Sequence, residues 1–125
     1  MLYSAVTWTV MLVDEVREWY LTLVDEDPET AEQVTAAIDL LEERGPALGR
    51  PLVDTVAGSA LANLKELRPG SSGRSEVRIL FAFDPSRQAV LLAAGDKRGA
   101  WSEWYTRHIP IAEARFFRWT EAHDE

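Results

Sequence analysis

Three charged residues in the middle of the chain, Glu66, Arg68 and Arg78, are spaced so that extended segments would bring them to one surface. Residues 76–83 read EVRILFAF. Side chains alternate across a strand, so Val77, Ile79, Phe81 and Phe83 make an apolar core face while Glu76, Arg78, Leu80 and Ala82 share the other. Residues 63–68 form a preceding run, and a simple hairpin across PGSSGRS makes the numbers of opposed residues sum to about 144. Glu66 then faces Arg78, and Arg68 faces Glu76. Lys97 and Arg98 end the apolar run 89–95 and reach the rim of the same surface. One carboxylate thus meets up to four cations with no metal ligands nearby. Such a group suits phosphodiester chemistry, because guanidinium forks hold a scissile phosphate and neutralise the charge gathering on it in the transition state. On RNA the nucleophile can be the neighbouring 2′-hydroxyl, so neither a metal nor a protein nucleophile is required, and a carboxylate, tyrosine or lysine moves the protons. The plainer alternative is a set of cross-strand ion pairs, Glu66–Arg78 and Arg68–Glu76, each worth roughly a few tenths of a kcal/mol.

Other candidates carry less chemistry. His108 and His123 lie far apart in sequence with no third ligand at metal spacing, so no metal site and no cofactor are expected. His108 reads either as a proton carrier near the rim or as a solvent-facing loop histidine. Trp101, Trp104 and Tyr105 stand at i, i+3 and i+4, which serves helix-to-sheet packing or the stacking of bases. PGSSGRS lacks the Lys-Ser/Thr ending of a phosphate-binding P-loop and reads as a hairpin turn.

The elements that must position these residues follow from local pattern. Residues 3–10 are β-branched and aromatic and favour a short opening strand. From Asp14 the period changes: Val16, Trp19, Tyr20 and Leu23 line one face of a helix whose first turn carries Asp14 and Glu15. Asp27-Pro28-Glu29 reads as N-cap, first-turn proline and dipole-friendly acid for a second helix, with Ala31, Val34, Ile38 and Leu41 on one stripe and Gly45-Pro46 as its stop. The short link between the helices makes an antiparallel hairpin with acidic faces outward. Residues 46–61 have no sustained period and read as a loop. Runs 63–68, 76–83 and 89–95 form an antiparallel meander, Pro110 interrupts the following helical segment, and residues 112–122 make a closing helix. The expected fold class is α+β, an antiparallel sheet packed on an N-terminal helical hairpin with a C-terminal helical segment.

The 125 residues suit one domain, 1–125, of ordinary globular composition, 46% hydrophobic and 27% charged. With no cysteine there is no disulfide framework, thiolate metal site or cysteine nucleophile. The N-terminal apolar run has no basic segment before it and reaches Asp14 too soon to span a bilayer, so a cytoplasmic protein with no membrane partner is expected. The net charge of −8 argues against polyanion binding, yet its distribution is uneven. Residues 1–45 hold eleven acids and two bases, whereas residues 46–111 hold nine bases and six acids.

The stretch NLKELRPGSSGRSEVRILFAFDPSRQAVLLAAGDKRGAWSEWY resembles the phage Gp49-like, HigB-type branch of the RelE/ParE toxin superfamily. That branch carries "ELR", a turn, an arginine strand such as "YRVLF", an apolar strand ending in a basic pair, and then a helix. The preceding strand and helical hairpin fit as well, so the resemblance covers most of the chain. It implies a RelE-like fold and the toxin of a type II toxin–antitoxin system, a metal-independent mRNA endoribonuclease that acts on the ribosome by 2′-hydroxyl attack and leaves a cyclic phosphate. Carried over, the arginine after the turn is Arg78, the "ELR" pair is Glu66 and Arg68, the basic pair is Lys97-Arg98, and Tyr105 stands where relatives carry a terminal tyrosine. Val77 replaces a tyrosine before Arg78. Glu66 stands where some relatives have a second lysine, with Lys65 expected on the opposite face, so the resemblance supplies no lysine base at that position. It also implies a cognate antitoxin, of helix-turn-helix type, and mRNA on the ribosome as partners, without sequence-specific DNA binding by this chain. The alternatives on the same fold are a ParE-type gyrase inhibitor and a non-catalytic phage-derived binding protein.

Overall fold

A computed structural model describes residues 7–70 and 75–123. The elements in chain order are β1 (Thr9–Leu12), α1 (Asp14–Glu26), α2 (Pro28–Arg44), a short 3-10 turn (Gly45–Ala47), β2 (Val53–Thr55), β3 (Lys65–Leu67), β4 (Val77–Phe83), β5 (Gln88–Asp96) and α3 (Trp101–His123). The sheet order is β1-β5-β4-β3-β2. β1 runs parallel to β5, and every other neighbouring pair is antiparallel.

The helical hairpin forms for the expected reasons. Asp27 accepts the Thr30 backbone N–H at 3.3 Å and the Thr30 hydroxyl at 2.6 Å, which closes the first turn of α2 behind Pro28. Gly45 ends that helix at φ 53°, and a Cβ there would collide with the Trp8 indole. Ten of the eleven acids of residues 1–45 are exposed, and the eleventh is the cap Asp27. The buried stripe of α2 is Thr30, Ala31, Val34, Ala37 and Leu41, with Ile38 only half-buried.

Several details depart from the sequence pattern. The opening strand lies at Thr9–Leu12 rather than 3–10, whose first residues fall outside the described ones, as do 71–74 of the expected turn. The segment 46–61 is not all loop: Val53, Asp54 and Thr55 pair with Leu67, Glu66 and Lys65. Three residues flanked by Pro51 and Gly58 are too few to display a period. β3 and β4 pair Glu66 with Leu80 and Leu67 with Ile79, two residues away from the simple hairpin register. A two-residue slip preserves faces, so Glu66, Arg68 and Arg78 stay on one side.

Both faces of β4 are covered. Ile79 and Phe81 are buried as expected, but so are Leu80 and Ala82, because α3 lies over the face that carries Glu66 and Arg78 while the α1–α2 hairpin closes the other. On β5, Leu92 is the extra residue of a bulge opposite Leu80 and Phe81. Its carbonyl accepts from Arg115 of α3 at 2.8 Å. Pro110 does not break α3, which runs unbroken from Trp101 to His123. Trp104 and Ala112 are buried on either side of it and Pro110 is exposed, so packing overrides the one backbone bond that proline removes. Among the described residues no helix is long and apolar enough to cross a membrane.

Candidate active site

Five elements, β2, β3, β4, the end of β5 and α3, converge on one site. Glu66 projects from β3 beneath α3, its side chain only 5% exposed. Its Oε1 accepts from Arg68 Nε at 2.9 Å and from the Tyr105 hydroxyl at 2.9 Å, and Arg78 Nε lies 3.3 Å away. Glu66 is therefore a hub that gathers two strands and a helix around one oxygen.

Arg78 comes from the middle of the sheet, anchored by the buried neighbours Val77 and Ile79, and its side chain is 16% exposed. Its Nη1 donates to the Val77 carbonyl at 2.8 Å. Its Nε is fully buried and lies 3.3 Å from Glu66, an ion-pair contact that is not a hydrogen bond. The Glu66 carboxylate balances this buried charge as an ion pair without accepting a hydrogen bond from it.

Arg68 is held between two carboxylates, Glu66 and, through Nη2 at 3.2 Å, Asp54 of β2. Arg50 stands 3.6 Å beyond on the same Asp54 oxygen. The expected Arg68–Glu76 pair does not form, since the register shift moves Glu76 away. Glu76 instead donates its backbone N–H to Asp96, and its carboxylate lies 4.0 Å from Lys97 Nζ.

Lys97 is buried at the end of β5, its side chain 3% exposed, with Nζ 3.0 Å from the Trp101 ring centroid and 5.7 Å from that of Tyr105. Burial, and then the Arg78 charge, hold its ammonium below the usual lysine range. Tyr105 moves the other way: burial first, then the Glu66 charge, push its phenol up to about 12. The pair places a group that gives up its proton more readily than usual beside one that keeps it. Arg98, by contrast, is exposed at the rim, and its backbone N–H donates to Asp96. Its guanidinium has no ion-pair partner among the described residues.

Glu66, Arg68, Arg78, Lys97 and Tyr105 thus come together, and Arg98 stays outside the cluster. Asp54 and Arg50 were missed because β2 was not visible as a strand; the acid at Asp54 was the only signal. His108 stacks on Trp104 at 4.2 Å with Nδ1 2.8 Å from the Trp104 carbonyl, and burial lowers its affinity for a proton. It is a neutral packing group on α3, not a loop histidine. His123 stacks likewise on Trp119 at 3.7 Å. Trp104 packs against the sheet, where a Cβ on Gly95 would come within 2.8 Å of its indole nitrogen. Among the described residues no group of three metal-binding side chains occurs.

A small α+β sheet protein carrying an arginine, carboxylate and tyrosine cluster under its last helix is the class that these features define. The family model "Phage derived protein Gp49-like (DUF891)" matches residues 22–117. The chain is 58% identical over 116 residues to "Putative toxin HigB2" of Mycobacterium tuberculosis, covering 93% of this chain and 56% of that protein. It is 50% identical over 110 residues to "Putative toxin HigB3" of the same organism, covering 88% of this chain and 91% of that protein. It spans little more than half the length of the first relative and nearly all of the second. Among solved structures, a double arginine mutant of Escherichia coli toxin RelE in the free state superposes with a TM-score of 0.56 at 12% identity, over 81% of this chain and 97% of that one, a likeness of fold. The chain belongs to the phage Gp49-like family and is a relative of the HigB toxins.

Proposed function

We propose that this chain is the toxin of a type II toxin–antitoxin system and an endoribonuclease that cuts mRNA on the ribosome without a metal ion. The single observation that carries the catalytic reading is that Arg68, Arg78, Lys97 and Tyr105 gather in one site with the buried Glu66 carboxylate. A non-bridging phosphate oxygen is an acceptor of the right charge and shape for such guanidinium groups.

In this reading the 2′-oxygen attacks the adjacent phosphorus, the bond from phosphorus to the 5′-oxygen breaks, and a 2′,3′-cyclic phosphate and a 5′-hydroxyl result. Arg78 and Arg68 neutralise the charge that builds on the phosphoryl oxygens. Lys97, with its ammonium destabilised, takes the proton of the 2′-hydroxyl, and Tyr105, which stays protonated at neutral pH, gives one to the leaving 5′-oxygen. Glu66 holds Arg68 and Tyr105 in place. Arg98 at the rim supplies long-range attraction for the RNA backbone. A cognate antitoxin of helix-turn-helix type, holding the toxin in check in the cytoplasm, completes the system.

A translating extract programmed with a defined mRNA tests this directly. The expected product is an upstream fragment ending in a cyclic phosphate, absent with Arg78→Ala; a 3′-hydroxyl end would refute the 2′-hydroxyl mechanism. The net charge of −8, concentrated on the exposed acids of α1 and α2, favours a second reading, a binder that inhibits gyrase without cutting RNA. Inhibited supercoiling with intact mRNA would select it.

A further inference from the structure

The exposed face of Trp101 stands out among the large apolar side chains. Its neighbour Trp104 is buried, whereas Trp101, one turn into solvent at the start of α3, is 59% exposed. A scattered exposed apolar residue needs no explanation. Trp101 differs in what lies behind it: the Lys97 ammonium sits 3.0 Å from its ring centroid and is itself almost wholly enclosed. A cation held against one face of an indole fixes the ring's orientation, so the outward face is a rigid surface rather than a swinging side chain.

That surface adjoins the cluster described above. Trp101 and Tyr105 are one helical turn apart, and Lys97 Nζ touches the Trp101 ring and lies 5.7 Å from the Tyr105 ring centroid. The two ring centres are therefore under 9 Å apart. Arg98 stands exposed in the turn between β5 and α3, with its guanidinium unpaired among the described residues. An exposed planar ring beside a free cation, next to a place suited to phosphate, is the combination by which proteins hold single-stranded nucleic acid: the base stacks and the backbone is neutralised.

We propose that Trp101 is a base-stacking subsite, which takes one unpaired nucleobase of the strand whose phosphate lies at Arg78. The proposal rests on the endoribonuclease reading and adds to it the recognition of a base. Stacking on an indole is available to every base, so the subsite fixes the strand's position while leaving its sequence largely free. It also gives the Trp101–Lys97 contact a consequence, since the side chain that lies against the ring is the one whose neutral amine is assigned to the 2′-hydroxyl proton.

The test is a double-mutant cycle between protein and RNA. Ribosomes programmed with an mRNA whose A-site codon carries an abasic nucleotide at one of its three positions, or none, are treated with the wild-type chain, Trp101→Ala or Trp101→Phe, and cleavage rates are read by primer extension. At one position the abasic substitution should slow the wild type by about 5- to 150-fold, the range for a lost stack on an aromatic side chain. The same substitution should slow Trp101→Ala less than about 2-fold, with Trp101→Phe between them. If the abasic effect is equal in wild type and Trp101→Ala at all three positions, the stacking subsite is overturned and the nuclease reading stands. If the wild type leaves the intact mRNA uncut, the nuclease reading falls and the subsite with it.

Discussion

Arg78→Ala separates the two things the cluster can be, a stabilising ion-pair network and a phosphate clamp. Its stability cost is bounded by the contacts that disappear. The Nη1 bond to the Val77 carbonyl goes, as does the 3.3 Å contact with Glu66, while Glu66 keeps Arg68 and Tyr105. Because the buried carboxylate retains two donors, the loss belongs to one charged hydrogen-bonding group, about 1–3 kcal/mol. At this chain length that lowers the thermal midpoint by roughly 4 °C per kcal/mol and leaves the protein folded at assay temperature. A catalytic clamp predicts a separate and larger loss, about 10²–10³ in cleavage rate, measured on the same folded preparation. Arg78→Lys should recover part of it, since a point charge restores attraction but not the planar fork. Thermal denaturation and cleavage in a translating extract, run on one batch, are the assay. A folded Arg78→Ala protein that cuts at the wild-type rate would refute the reasoning, however much its midpoint fell.

Four further substitutions follow from the same structure. Phe81→Ala removes a fully buried ring packed edge-on against Phe83 at 5.4 Å and should cost about 3–5 kcal/mol, read by chemical denaturation. If Lys97 accepts the 2′-hydroxyl proton, the active form is the neutral amine, so cleavage should climb with pH and level off below the 10.5 of an ordinary lysine; Lys97→Met should lose that rise, and Tyr105→Phe should lose about 10²-fold or more at neutral pH. Burial pushes the Asp84 carboxyl up, but the bonds from Trp119 and Gln88 and the Ser86 N–H outweigh it and hold the group below its ordinary 3.8. A depressed carboxylate stabilises the fold above its unfolded value and loses that contribution as pH falls through the folded one, so the stability gap between wild type and Asp84→Ala, about 1–3 kcal/mol at neutral pH, should shrink below pH 3.8.

What the sequence made legible was what depends on neighbours along the chain. The Asp27-Pro28 start and Gly45 stop of α2 and the shared face of Glu66, Arg68 and Arg78 are local rules that hold in the folded chain, whereas the one-sided burial expected of β4 does not. What stayed hidden depends on contacts made later. β2 exists because β3 pairs with it, and with β2 comes Asp54, the second carboxylate on Arg68. The continuity of α3 through Pro110 depends on Trp104 and Ala112 being buried either side. The Arg68–Glu76 pair failed for the same reason: register is set by packing and by a turn whose geometry sequence does not fix.

The placement of the cluster argues against stability as its purpose. β4 buries Leu80 and Ala82 beneath α3, so the fold is able to fill that face with apolar groups, and does so along most of the strand. At one end it instead places Glu66, Arg78 and Lys97, all largely out of water, with Arg68 and Tyr105 completing the group. Buried charges are poor stabilisers, because the cost of desolvating them usually matches or exceeds their attraction, and a well-packed apolar replacement is often the more stable choice. Arginine and lysine gathered with Glu66 and Asp54, under a helix whose tyrosine holds its proton, form the group to which the proposed chemistry brings an additional anion. In the proposed reading that anion is the phosphate of an RNA strand.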